Sequence, residues 1–296
     1  MKILVTGATG YIGSLLVPRL LQKGYTVRCL VRRSEKNNAS VEVVAGDLLN
    51  SESLPKAFAG IDLAYYLVHS MSAGEKGFAD RDRQAAANFT TAARQAGVRK
   101  IIYLGGLGDD RSARGKLSHH LKSRQEVGEI LRQSGIPVTE FRAAVIVGAG
   151  SVSFKMIRYL TERLPLMICP KWVSSRCQPI AIDDVLTYLL SAVEESKSDG
   201  KILEIGGADI LTYGGMMRDY AKVRGLKRYL IPVPVLTPRL SSYWVNLVTP
   251  IPASLARPLI EGLKNDVVCQ NDEARKIFPF KPIGYPEAVR RALHDS

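Results

Sequence analysis

Short apolar runs alternate with stretches of helical period through the first half of the chain. Lys2–Val5, Thr26–Val31, Val41–Ala45, Leu63–Val68, Lys100–Leu104 and Val138–Val147 each have strand length and end at polar or glycine-containing breaks. Between them, Tyr11–Gln22 puts Ile12, Leu15, Leu16 and Leu20 on one helical face, and Phe78–Ala96 and Leu117–Arg132 read as further helices. Gly24 and Gly97 stand where two of these helices must stop. Pro18 deletes one backbone donor inside the first helix and predicts a kink. Strands apolar on both faces and separated by helices require a parallel sheet covered on both sides.

The second half is less regular. Phe154–Arg163 and Asp183–Glu194 have helical period, and Lys201–Ile205 reads as a seventh strand. Beyond Gly207 the chain is proline-rich and is expected to be mostly helical. These patterns divide it into residues 1–150, with 178–207 returning to the same sheet, and a smaller cap from 151–177 and 208–296.

The first strand runs into Thr6-Gly7-Ala8-Thr9-Gly10-Tyr11-Ile12-Gly13 and then directly into a helix. A strand that turns into a helix this sharply needs glycine. Gly7 suits the turn, Gly10 the approach of a pyrophosphate to the backbone, and Gly13 close packing of helix on strand. Unpaired N–H groups at the helix N-terminus then favour an anion. The fold expected is an α/β, Rossmann-type doubly wound sheet with a smaller, mostly helical C-terminal cap.

Composition narrows the field without redirecting it. With 296 residues, 46% hydrophobic and 23% charged, the chain can bury a full core. Only three strongly apolar residues follow Met1-Lys2, no run approaches the ~20 apolar residues of a membrane span, and a cytoplasmic protein is expected. The four cysteines lack paired spacing, and of the four histidines only His119 and His120 are neighbours, so no metal site is expected. The net charge of +13 is spread in runs no longer than two, which suits anionic cofactors better than specific nucleic-acid binding. Leu240, Tyr243, Trp244 and Leu247 form an apolar helical face, read as packing, as a lid over an apolar substrate, or as a weak membrane-surface contact.

The glycine motif, Gly46-Asp47, the segment Ala92–Lys100, Phe141-Arg142-Ala143-Ala144 and Gln178–Val185 together resemble the short-chain dehydrogenase/reductase superfamily in its extended or atypical branch. The likeness covers about the first 210 residues. The cap is similar to that of bacterial NAD(P)H-binding proteins labelled nucleoside-diphosphate-sugar epimerases, and there is a more distant likeness to NmrA-type regulatory proteins and to the NADPH-binding accessory subunit of respiratory complex I.

Such a fold selects NAD through an acidic residue about twenty positions after the glycines. Here Arg32 and Arg33 stand at the end of strand 2, and their guanidinium groups suit the 2′-phosphate of NADP(H). Asp47 matches the family's acidic residue after strand 3 and serves either the adenine or the next turn as its N-cap. The resemblance implies a cofactor set of Gly7, Thr9, Gly10, Tyr11, Ile12, Gly13, Arg32, Arg33, Asp47, Leu48, Leu67, Val68, His69, Gly105, Gly106 and Lys122, with NADP(H) preferred over NAD(H).

Active members of that superfamily carry Tyr-x-x-x-Lys on the helix after strand 5. Counted at that spacing, Ser118 and Lys122 occupy the pair. A serine hydroxyl is a far weaker acid than a phenol, whose reference pKa is about 10. His69, at the carboxyl end of strand 4, and His119, beside Ser118, are the substitutes expected to handle the proton. The leading expectation is an oxidoreductase acting on an apolar or quinone-like small molecule. The competing readings are a non-catalytic NADPH-binding structural, redox-sensing or regulatory protein, and a nucleotide-sugar epimerase or dehydratase.

Overall fold

The computed structural model describes residues 1–33, 41–69, 77–108, 118–233, 248–252, 260–262 and 265–295. Seven strands form one sheet: β1 (Lys2–Thr6), β2 (Thr26–Val31), β3 (Glu42–Ala45), β4 (Leu63–Tyr66), β5 (Lys100–Gly106), β6 (Val138–Ala143) and a last strand, Ile202–Ile205. Their order is Ile202–Ile205, β6, β5, β4, β1, β2, β3. Every neighbouring pair is parallel. The order reverses between β1 and β4, which opens a crevice above the carboxyl ends of those strands.

Helices cover both faces, as strands without a polar side require. One face packs against α1 (Tyr11–Gln22) and α6 (Ile182–Ser191), with Leu16, Leu20, Leu186 and Leu189 buried. The other packs against α2 (Pro55–Phe58), α3 (Phe78–Gln95) and α4 (His119–Arg132), around Phe58, Phe89, Tyr66 and Tyr103. α1 runs from Tyr11 to Gln22 with Pro18 inside it. It ends at Gly24, whose φ of +82° is the left-handed conformation glycine adopts at no steric cost.

The apolar run Val138–Val147 is not one strand. It leaves the sheet after Ala143, and Ile146–Val147 (β7) pairs instead with Ile180–Ala181 (β10). A third core forms where α5 (Val152–Arg163), from the segment between them, packs with α7 (Tyr213–Val223) and the helix Tyr285–His294 from later in the chain. Two-stranded ribbons join it: β8 (Leu166–Cys169) with β13 (Tyr229–Pro232), and β9 (Arg176–Cys177) with β12 (Leu211–Thr212). The last strand of the main sheet is β11 in chain order. Leu240, Tyr243, Trp244 and Leu247 lie outside the described residues.

One buried charge cluster fixes α4 on the sheet. Glu140 of β6 is fully buried, and its carboxylate takes an Arg132 N–H from α4 and the Arg142 Nε–H at 2.7 Å. Gly128 passes directly over that carboxylate: a Cβ there would lie 2.6 Å from Glu140 Oε2. The same helix carries the chemistry described next.

Candidate functional site

The glycine turn has the geometry a dinucleotide needs. Gly7 has φ +74°, and a Cβ on it would meet the Leu67 carbonyl oxygen at 2.6 Å. A Cβ on Gly13 would overlap the Gly7 carbonyl oxygen, so α1 approaches β1 more closely than any side chain permits. Gly10 caps α1 with no side-chain acceptor for its first N–H groups and no acidic residue in the first turn. That end of α1 is an open anion seat. On these grounds the turn fits a pyrophosphate.

Beyond it, a cavity of about 320 Å³ opens above the carboxyl ends of β4, β5 and β6. Its wall is mostly apolar, with Ile12, Leu67, Leu104, Leu107 and Ile146, and also includes Gly105 and Gly106. The two glycines have a packing reason as well: a Cβ on Gly106 would lie 2.8 Å from Leu121 Cδ2, and one on Gly105 3.2 Å from the Tyr103 ring. The polar end of the cavity comes from His69, His120 and Arg124.

Those residues belong to a hydrogen-bonded series. Asp82, buried on α3, receives Ser123 Oγ–H at 3.1 Å and lies 3.0 Å from His69 Nδ1. His69 Nε2 lies 3.0 Å from His120 Nδ1. Arg124 donates to the Leu104 carbonyl, lies over the Tyr103 ring at 5.1 Å, and accepts Tyr103 O–H at its own carbonyl at 2.8 Å. Burial, the His69 ring and the Arg124 guanidinium push His120 down to about 3. Burial also lowers His69, opposed by the Asp82 carboxylate. Both rings are therefore neutral at pH 7. The groups stand in series rather than around one point, and among the described residues no cluster of three or more His, Cys, Asp or Glu is placed to hold a metal.

The residues counted as the Tyr-x-x-x-Lys pair stand elsewhere. Ser118 is the N-cap of α4 and accepts the Leu121 N–H at 3.3 Å. Lys122 and His119 line a neighbouring cleft with Asp80, Arg83 and Glu126 and do not reach the glycine-lined cavity, whereas His120 borders both. One turn of helix explains this. Starting from Ser118, a four-residue step selects the outward side of α4, whereas His120 and Arg124, at the same spacing, face the cavity. Asp82 also escaped the sequence reading, because nothing in the polar stretch Asp80-Arg81-Asp82-Arg83 distinguishes the buried carboxylate.

The remaining positions fall as follows. Arg32 and Arg33 are exposed just past β2, and neither forms an ion pair with a described residue. Asp47 Oδ1 accepts the Leu49 N–H at 2.9 Å and shapes its own turn. Leu48 is buried in the core beneath β2 and β3, and Val68 packs against the same cluster. Thr9 is exposed in the glycine turn. The Tyr11 ring lies against Gly148 and Gly150, where any Cβ would overlap it.

The sequence model of the NmrA-like family matches residues 1–238. The chain belongs to the NmrA-like family. Its seven-stranded parallel sheet is of the Rossmann type. A ceramide reductase of Caulobacter vibrioides is 27% identical over 237 residues, covering 78% of this chain and 73% of that one. The triphenylmethane reductase of Citrobacter sp. has a TM-score of 0.79 at 23% identity, covering 99% of this chain and 100% of that one. The same reductase complexed with NADP(H) has a TM-score of 0.75 at equal coverage. MoeE5 in complex with UDP-glucuronic acid and NAD has a TM-score of 0.76 at 17% identity, covering 99% of this chain and 98% of that one. At such identities the structural likeness shows the shared fold, on which both dinucleotides occur. Among the described residues no helix is long and apolar enough to cross a membrane.

Proposed function

We propose that the protein is an NADP(H)-dependent oxidoreductase acting on an apolar small molecule. The observation that carries this reading is the placement of a mostly apolar cavity with a histidine–arginine end directly beyond the glycine turn. Bound NADP(H) would supply or receive the hydride. Gly7, Gly10 and Gly13 would seat its pyrophosphate, and Gly105 and Gly106 would leave the nicotinamide side of the cavity uncluttered. The apolar wall would hold the substrate body and exclude water, which suits a hydrocarbon-rich molecule better than a nucleotide sugar.

Preference for NADP(H) rests on Arg32 and Arg33, two guanidinium groups where an NAD-selective fold places a carboxylate. One charge-assisted contact contributes about 1.5–3 kcal/mol, and solvent screening at an exposed site puts the outcome at the lower end. That corresponds to about tenfold in affinity. Calorimetric titration should give NADPH binding at least about tenfold tighter than NADH, with the gap narrowed by Arg32→Ala or Arg33→Ala. Equal affinities would remove the NADP preference, and no binding of either dinucleotide would remove the whole reading. A non-catalytic NADPH-binding sensor is the second reading, favoured because His120 and Arg124, and not a tyrosine and a lysine, stand at the four-residue spacing on the cavity side of α4. It predicts tight binding with no NADPH consumption above background on a panel of apolar aldehydes, quinones and triphenylmethane dyes.

A further inference from the structure

We propose that His120 exchanges the proton in this site, with His69 and Asp82 positioning it, and that the substrate group it meets is a hydroxyl carried on an apolar body. This rests on the reading that NADP(H) binds beside the same cavity.

The direction of each hydrogen bond follows from the one before. A carboxylate has only lone pairs to offer, so Asp82 must receive the proton of His69 Nδ1, 3.0 Å away. A neutral His69 then presents a lone pair at Nε2. His120 Nδ1, at 3.0 Å, must therefore donate, which leaves the lone pair of His120 on Nε2. That nitrogen has no partner among the described residues, and the ring stands on the wall shared by the cavity and the neighbouring cleft. The groups facing this pair are the Asp82 carboxylate from α3, with Ser123 Oγ on it, and the Arg124 guanidinium from α4. The guanidinium resists protonation of the rings, while the carboxylate orients them.

The cavity thus offers a hydrogen-bond acceptor beside a mostly apolar wall. A ligand with a hydroxyl satisfies it, whereas a bare carbonyl would set lone pair against lone pair. In the oxidative direction the alcohol O–H bond breaks and a His120 Nε2–H bond forms. As the C=O bond forms, the same carbon would give up its hydride, the two-electron acceptor being the NADP⁺ that the glycine turn would hold. The proton on His120 Nδ1 can pass to His69 Nε2, which places the positive charge beside Asp82. Carbonyl reduction is the reverse, with the relay returning the proton to oxygen. Arg124, tied to the Leu104 carbonyl, keeps the helix register that presents His120.

The first test needs no substrate. Ring-nitrogen NMR on histidine-labelled protein at pH 7 should find His69 and His120 both protonated on Nδ1 alone. Asp82→Asn, whose amide can donate to His69, should disturb both tautomers. A His120 protonated on Nε2 at pH 7 would overturn the proposal. The second test follows NADP⁺ reduction with 1-phenylethanol, 1-indanol and cyclohexanol. His120→Gln should lower kcat at least about 100-fold, the range of general acid–base catalysis, with NADP⁺ affinity unchanged. Asp82→Asn should lower kcat and move the acid limb of its pH profile. His120 is only half-buried, so its variant remains informative if Asp82→Asn fails to fold. Wild-type turnover in His120→Gln would overturn the role. NADP⁺ binding without oxidation of any alcohol in the panel would overturn the hydroxyl assignment. Failure to bind NADP(H) would instead strike the function proposed above, and the tautomers would still decide which way the relay points.

Discussion

Replacing Gly128 by alanine pits two ordinary effects against each other, and the structure decides the sign. In an exposed helix the change would stabilise by about 1 kcal/mol, because alanine has the higher helix propensity. Here the new Cβ would lie 2.6 Å from Glu140 Oε2 and 2.8 Å from both Cδ and Oε1. The carboxylate cannot swing aside, since Glu140 is fully buried and held by Arg132 and Arg142. Overpacking of this kind costs about 1–3 kcal/mol, and weakening one charge-assisted contact adds about 1.5–3 kcal/mol. The net expectation is a loss of about 1.5–5 kcal/mol, or a Tm lower by on the order of 2–8 °C for a chain of this size. Urea titration and thermal melts followed by circular dichroism read it directly. Shortening the acid should relieve the overlap, so Glu140→Asp combined with Gly128→Ala should cost less than the two single changes added together. α4 also carries His120, so the alanine variant should lose activity faster than it loses NADPH binding. A Gly128→Ala protein as stable as the parent would refute the packing argument.

Three further outcomes are expected. Gly7→Ala, which meets both a φ of +74° and the Leu67 carbonyl at 2.6 Å, should abolish NADPH binding in calorimetry, whereas Gly24→Ala, with φ +82° and nothing within 4 Å, should keep it and lose about 1 kcal/mol of stability. Ser118→Ala should lose about 0.5–1 kcal/mol as an N-cap, the contact being a long one at 3.3 Å, and should leave turnover within about twofold; a larger fall in kcat would return Ser118 to the chemistry. His120 has a folded pKa of about 3, below the unfolded value of about 6.5, so the unfolded chain binds protons first on acidification. Its contribution is present above about pH 7 and is lost as pH falls through 6.5 toward 3. Between pH 7 and 5, urea unfolding should show the parent losing on the order of 1–2 kcal/mol more stability than His120→Asn, and parallel losses would contradict a ring held neutral in the folded protein.

The sheet was legible because its strands are apolar on both faces, a property that ten or fewer residues display without context. The glycine turn was legible because three steric requirements fall at fixed spacing. The break after Ala143 was not, since Ala144-Val145 continues the apolar run and only the pairing of Ile146 with Ile180 reveals the departure. His120 and Arg124 were within reach, for they share the four-residue spacing that drew attention to Ser118 and Lys122. Choosing between the two registers requires knowing which side of α4 faces the sheet, and its polar composition hides that. Asp82 and Glu140 carry a weaker signal. A carboxylate inside the strand pattern Val138–Ala143 is out of place, and such a residue demands buried partners that sequence alone does not name.

Tyr11 seated on Gly148 and Gly150 has a consequence for how this chain can diverge. The tyrosine belongs to the nucleotide turn and the glycines to the passage where the chain leaves the sheet, about 140 residues later in sequence. Neither glycine can acquire a side chain while the ring is there, and loss of the ring would leave a hollow over two glycines. Substitution at the three positions should therefore be concerted. Among descendants of this sequence, a small residue at 11 should accompany bulk at 148 or 150, and a chimera that takes its nucleotide turn from one parent and its cap from another should fail first at this junction.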